Sequence, residues 1–235
     1  MAVSIRLEHL RKSYGNKIAV ADLNAEFYEG QIVALLGENG AGKSTLLNMM
    51  AGFLAPSAGR VLISDNDMAK VPEICKKNIG FLPEGSPLYD DMDVKDFLHY
   101  MASLKGVAGQ EESEAIVKAN LEDVKKCKID ALSKGYRRRV GFAASLLGNP
   151  PILLLDEPTD GLDPNQKAHL LGLIKDMSSS KTIIISTHLL DEAEQIANRI
   201  MIMHQGVIKI DGCKESVCKQ TQTVSLENAF VKLTR

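Results

Sequence analysis

Apolar and polar positions alternate from Val3 to Leu10, with Val3, Ile5 and Leu7 set against Ser4, Arg6 and Glu8. This period of two predicts a half-buried strand. A polar turn is expected over Arg11–Lys17, followed by a second alternating run at Leu23, Ala25 and Phe27. Ile32–Leu36 is wholly apolar and leads into a glycine-rich stretch, Gly37–Thr45. A simple strand–helix–strand unit would begin with one strand rather than three, so an antiparallel subdomain is predicted beside a parallel core. Arg60–Ser64 and Asn78–Leu82 read as further strands. From Asp93 to about Ala144 the apolar spacing becomes helical, through Val94, Phe97, Leu98, Met101 and Leu104 and then Ile116, Val117, Ala119 and Leu121. Ser133 is placed to open the last helix of that insert. Ile152–Asp156 and Thr182–Ser186 are continuous apolar runs, as in parallel strands buried on both faces. Pro164–Met177 and Asp191–Asn198 read as helices. Ile200–Met203 and Val207–Ile210 flank His204-Gln205-Gly206 as a hairpin.

The pattern predicts an α/β chain forming a single domain over residues 1–235. An antiparallel β-subdomain draws on 1–30 and 59–82, a helical subdomain spans 86–145, and a helical tail covers 213–235. The 235 residues are enough for one sizeable core with an inserted lobe. The formal net charge of −2 gives no reason to expect nucleic acid as a partner. No apolar run approaches the roughly 20 residues of a membrane-spanning helix. The start Met1–Arg6 has no signal-peptide pattern, which predicts a cytosolic chain. Cys75, Cys127, Cys213 and Cys218 form no C-x-x-C pair and have no histidine at metal-ligand spacing, so reduced thiols are expected.

Candidate chemistry begins at Gly37-Glu38-Asn39-Gly40-Ala41-Gly42-Lys43-Ser44-Thr45, which matches the phosphate-binding loop G-x-x-x-x-G-K-[ST] between a strand and a helix. Glycines let backbone N–H groups converge on an anion, and the helix adds its positive end. Lys43 is expected to reach the terminal phosphates and the Ser44 hydroxyl to ligand Mg²⁺. A dinucleotide fingerprint is the weaker reading, given the glycine spacing of Gly37-x-x-Gly40-x-Gly42 and the Lys-Ser that follows.

Asp156-Glu157 ends a buried strand, at the edge where α/β sheets bind ligands. Beside a phosphate loop, Asp156 is expected to hold Mg²⁺ and Glu157 to act as general base towards a water. The alternative is a pair of solvated acids. His188, past the strand Thr182–Ser186, is positioned to bond the γ-phosphate or hold the attacking water against Glu157. In Leu132–Val140, Ser133 reads as an N-cap and Arg137–Arg139 as a solvated face.

In this order, these segments resemble the ATP-binding subunit of an ABC transporter. Gly37–Thr45 is similar to its phosphate loop, Leu132-Ser133-Lys134-Gly135 to its signature and Ile152–Pro158 to its acidic strand. Gly161-Leu162-Asp163-Pro164 resembles its D-loop and Ser186-Thr187-His188 its switch histidine. The resemblance covers almost the whole chain and implies a P-loop NTPase core with an ATPase activity coupled to transport. It implies that Tyr14 stacks on adenine, with a turn tyrosine packed on the core as the competing reading. Ser133 and Gly135 would contact the γ-phosphate held by a partner ATPase subunit in an ATP-dependent dimer, and Asp163 would lie at its seam. An integral membrane permease would be contacted by the loop Glu84–Tyr89, which implies a peripheral location on the cytoplasmic face. Glu84 stands where the family usually has Gln, and is expected near Mg²⁺ or water. Lys134 and Tyr136 depart from the usual signature. These variants, with the ending Ser225–Leu233, resemble stand-alone ATPases of exporters. A non-transport ABC ATPase and a weakly hydrolysing regulatory subunit are the alternatives.

Overall fold

The computed structural model of the protein describes residues 2–107 and 109–235. Its N-terminal strands β1 (Val3–Tyr14) and β2 (Lys17–Tyr28) pair antiparallel, and β4 (Ala58–Ile63) and β5 (Asn66–Asp67) complete a four-stranded sheet in the order β2-β1-β4-β5. The predicted turn at Arg11–Lys17 is much shorter than expected. Lys12, Ser13 and Tyr14 still pair with Val20, Ile18 and Lys17, and the chain turns at Gly15-Asn16. Register shifts between Leu7 and Leu10 and again between Leu10 and Lys12 break the two-residue alternation without ending the pairing.

The second sheet has six strands in the order β10-β9-β3-β8-β7-β6. Strands β3 (Ile32–Leu36), β6 (Ile79–Leu82), β7 (Ile152–Asp156), β8 (Thr182–Thr187) and β9 (Arg199–His204) run parallel. The antiparallel β10 (Val207–Gly212) closes the edge through a hairpin with β9. The fold is thus α/β, with a mixed, mainly parallel sheet beside an antiparallel one. Within segment 59–82, assigned from sequence to the antiparallel subdomain, the last strand belongs elsewhere. β6 hydrogen-bonds to β7 in the parallel sheet, because Ile79 and Leu82 bury into apolar clusters on its two sides. The helix α2 (Pro72–Lys77) was not anticipated, since Cys75 alone is buried along it and no apolar period marks it.

Side-chain alternation in the parallel strands builds the core on both sides of the sheet. Val33, Leu35, Ile152, Leu154 and Ile184 join Leu46, Leu47 and Met50 of α1 (Lys43–Met50) and Ile5, Leu7 and Phe27 of the antiparallel sheet. Helix α1 is therefore clamped between the two sheets. Each of its buried leucines contributes about 1.5–3 kcal/mol, which fixes the direction in which its N-terminus points.

On the other face Leu153, Leu155, Ile183 and Ile185 pack with α5 (Lys134–Leu146) and α6 (Pro164–Met177), and this cluster continues into α3 (Val94–Lys105) and α4 (Gly109–Lys118). Ala34, Leu36, Ile200 and Ile202 form a third cluster with α7 (Leu190–Ile196), α8 (Lys214–Thr221) and α9 (Leu226–Thr234). None of the helices of the described residues is long and apolar enough to cross a membrane.

Candidate active site

The loop Gly37–Thr45 joins β3 to α1, and two of its glycines, Gly37 and Gly42, are required by main-chain neighbours. A Cβ on Gly37 would lie 2.5 Å from the Met203 carbonyl oxygen. Gly42 has φ +108°, and a Cβ there would lie 2.3 Å from the Ala19 carbonyl oxygen. Gly42 caps α1 without any side-chain bond, which leaves the first N–H groups of that helix for a ligand. Glu38, Asn39 and Gly40 are exposed, Ala41 is buried, and Ser44 and Thr45 are half-buried on the first turn of α1.

Lys43 is buried, and its ammonium donates to the carbonyls of Gly37 (2.7 Å) and Glu38 (3.1 Å). Burial lowers its pKa, and the negative charges of Glu157, Asp156 and Glu84 oppose that shift. Those three carboxylates therefore act electrostatically on the phosphate-loop lysine, although they come from two other segments of the chain. Glu84 itself is exposed.

Asp156 is the last residue of β7 and is fully buried. Its Oδ1 accepts from the Ser186 hydroxyl on the neighbouring strand β8, whereas its buried Oδ2 has no hydrogen-bond partner among the described residues. An unpartnered buried carboxylate oxygen is costly and invites a cation or water. The next residue, Glu157, leaves the strand with φ +49°, an uncommon backbone conformation for a side chain of this size. Its N–H is held by the Ser186 carbonyl (3.1 Å) and hydroxyl (3.2 Å). Its carboxylate Oε1 lies 3.0 Å from Nδ1 of His188, which follows β8.

Two buried groups, Glu192 and Arg138, frame these residues. Glu192 of α7 accepts from Thr159 (2.5 Å) and Thr187 (2.9 Å) and pairs with Lys167 (2.9 Å). It thereby ties the segment after Glu157 to the segment before His188. Arg138 and Arg139 are also buried, which corrects the expectation of a solvated arginine face. Arg139 stacks on Tyr136 at 4.1 Å and donates to Asn120. Arg138 donates to the carbonyls of Pro83, Asp156 and Glu157 and to the Ser86 hydroxyl. Burial lowers the pKa of this guanidinium, against the opposing charges of Asp156, Asp160, Glu157 and Glu84. In the sequence Arg138 carried no signal beyond its place one turn after Ser133. Its partners are distant along the chain.

The signature segment packs on the loop that follows β7. Ser133 caps α5 by accepting from the Tyr136 N–H at 3.4 Å. Gly135 is buried against the loop after β7, where a Cβ would lie 2.9 Å from the Gly161 carbonyl. Lys134 pairs with Asp160 at 2.7 Å. Asp163 caps α6, accepting from the N–H groups of Asn165 (2.9 Å) and Gln166 (3.0 Å). Tyr14 is 51% exposed at the tip of β1, with the Lys12 ammonium 5.3 Å from its ring centre. The ring is therefore open to solvent, and the packed-turn reading does not describe it.

Comparison with known proteins agrees with this geometry. The sequence pattern of the ABC transporter family matches residues 20–160. The chain is 36% identical over 220 residues to the human phospholipid-transporting ATPase ABCA3, covering 90% of this chain and 13% of that protein. It is 35% identical over 219 residues to the mouse cholesterol transporter ABCA5, covering 89% of this chain and again 13% of that protein. The chain thus spans about an eighth of the length of these relatives. A solved ATP-binding subunit of an ABC transporter superimposes with a TM-score of 0.91 at 28% identity, covering 99% of this chain and 100% of that one. The ATP-binding cassette MJ0796, solved as a dimer in a post-hydrolysis state with ADP and Pi, gives a TM-score of 0.83 at 26% identity, over 89% of this chain and 98% of that one. The chain belongs to the ABC transporter family, as an ATP-binding ATPase domain.

Proposed function

We propose that the chain hydrolyses Mg-ATP at an interface with a second ATPase subunit and so drives a separate membrane permease, of export type. The observation that carries this reading is the convergence of Asp156, Glu157 and His188 at adjacent strand ends facing Lys43. In this reading the N–H groups of Gly37–Thr45 and the Lys43 ammonium hold the phosphates, exchanging loop carbonyls for phosphate oxygens. Tyr14 stacks on the adenine. Glu157 takes the proton of the attacking water, and His188 orients that carboxylate and senses the γ-phosphate.

Ser44 and Asp156 would hold Mg²⁺, with Glu84 nearby. The unpartnered Asp156 Oδ2 fits this role, and a single carboxylate with one hydroxyl suits an ion that takes its other ligands from phosphate and water. The ion, when bound, neutralises phosphate charge.

The dimer is supported by the assembly of the MJ0796 cassette. In it Ser133 and Gly135 would meet the γ-phosphate bound by the partner, with Asp163 near the seam. Contact with a membrane subunit is supported by the exposed aromatic pair Tyr89 and Tyr100, whose rings meet edge-on at 5.7 Å beside the loop Glu84–Tyr89. In this reading the chain sits on the cytoplasmic face of the membrane. Co-purification from membranes, with the partner identified by mass, tests that part.

The chemical part is tested by Glu157→Gln. The variant should bind ATP as the wild type does, stall hydrolysis and accumulate as an ATP-bound dimer on size exclusion. Hydrolysis at the wild-type rate would remove Glu157 from the role of base.

A further inference from the structure

We propose that Arg138 is a positioning residue for hydrolysis. Through it, the loop Pro83–Ser86 and helix α5 set the alignment of the main chain that carries Asp156 and Glu157. The inference rests on Glu157 being the base.

Arg138 differs from the other partly or fully buried arginines in how many main-chain oxygens it joins. Arg199, for comparison, pairs two-pronged with the Asp211 carboxylate at 2.7 and 2.6 Å and reaches one main-chain oxygen, of Glu26. Arg138 is 5% exposed, yet among the described residues no carboxylate lies within ion-pair distance of it. Its planar fork instead spans two segments. One nitrogen, Nη1, donates to the Pro83 carbonyl and the Ser86 hydroxyl, both at 2.7 Å. The other two donate to the carbonyls of Asp156 and, at 3.2 Å, Glu157. Three of the four acceptors are main-chain oxygens, so the guanidinium fixes backbone rather than neutralising a side chain.

The loop end of this link is seated as well as bonded. Ser86 is buried, with φ +42°, and rests on Gly141, one turn along α5 from Arg138. A Cβ at Gly141 would lie 2.9 Å from Ser86 Oγ and 3.0 Å from Ser86 Cβ. The loop therefore cannot shift without moving α5 or breaking the Nη1 bonds. Any shift of α5 pulls equally on the carbonyls of Asp156 and Glu157. Since Glu157 already holds a left-handed backbone, its carboxylate direction depends on that anchorage. A misplacement of about 1 Å at a reacting group lowers rate about 100-fold, whereas phosphate binding by Gly37–Thr45 does not pass through Arg138.

The test compares Arg138→Gln, Arg138→Lys, Ser86→Ala and Gly141→Ala in the full chain, each by ATP titration, kcat at saturating Mg-ATP and thermal midpoint. We expect Arg138→Gln to lower kcat about tenfold or more with ATP affinity within about twofold. Arg138→Lys should fail to restore the rate, because a single ammonium cannot span both segments. Ser86→Ala and Gly141→Ala should each lower kcat about threefold, again without loss of affinity. Should Arg138→Gln not fold, the Ser86 and Gly141 variants decide. The proposal is overturned by a folded Arg138→Gln or a Ser86/Gly141 pair with wild-type kcat, or by kcat and affinity falling together. Glu157→Gln in the same assay separates the two claims. If that variant is inactive while the Arg138 set is unaffected, only the positioning role fails; if it hydrolyses normally, the base assignment fails instead.

Discussion

Nδ1 of His188 lies 3.0 Å from Oε1 of Glu157, so two residues 31 positions apart share one hydrogen bond across neighbouring strand ends. Their separation is set by the parallel pairing of β7 with β8, where Asp156 stands opposite Ser186. A base held this way loses orientation, not identity, when the imidazole is removed. His188→Ala should therefore lower kcat about 100-fold while ATP affinity changes little. A rate within twofold of wild type, measured at saturating Mg-ATP, would show that Glu157 needs no help from His188.

Lys43 gives the complementary prediction. Its ammonium is buried against the carbonyls of Gly37 and Glu38 and is ready to exchange them for phosphate oxygens. Losing a charge-assisted bond of about 1.5–3 kcal/mol should weaken ATP binding about 10- to 100-fold in Lys43→Ala. Unchanged affinity in a nucleotide titration would contradict the phosphate-loop assignment.

Glu84 places a negative charge where it acts on Lys43 and Arg138. Glu84→Gln removes that charge and keeps the shape. ATP affinity should rise about two- to fivefold, and the Mg²⁺ concentration for half-maximal rate should change. If the Mg²⁺ dependence and the rate both stay fixed, Glu84 does not approach the metal or its water.

Glu192 carries a stability prediction. Its carboxylate is buried and satisfies two threonine hydroxyls and the Lys167 ammonium. Glu192→Ala leaves the two threonine hydroxyls without their acceptor and Lys167 with Asp191 as its remaining carboxylate, and should cost about 3 kcal/mol in urea unfolding. A loss below about 1 kcal/mol would mean that water replaces the carboxylate without penalty.

How much of this was legible beforehand follows from how local each signal is. Gly37–Thr45, the run Ile152–Asp156 and the helix Pro164–Met177 each carry their own pattern within a few residues, and each lies where the pattern put it. The strand at Arg11–Tyr14 was read as a turn because bulges destroy alternation while leaving the ladder intact. Arg138 and Glu192 were missed for a different reason. The acceptors of Arg138 lie 18 to 55 positions away, and Glu192 reaches Thr159 across 33. No periodicity or composition encodes such pairings. Three arginines in a row look like a polar face until the helix bearing them is packed against a sheet.

The surroundings of Gly37 and Gly42 also bear on how this site can change over time. The nearest atom to each of these two glycines is a main-chain oxygen, of Met203 in the closing hairpin for Gly37 and of Ala19 in the antiparallel sheet for Gly42, with the Ala41 and Met203 side chains next. A wall of backbone presents the same shape whatever side chains hang from it. A residue such as Ala19, which meets the loop through its carbonyl, is thus free to drift in identity so long as its strand keeps its course, whereas the two glycines have no such latitude. The nucleotide cradle is inherited as a path of the chain more than as a set of neighbours.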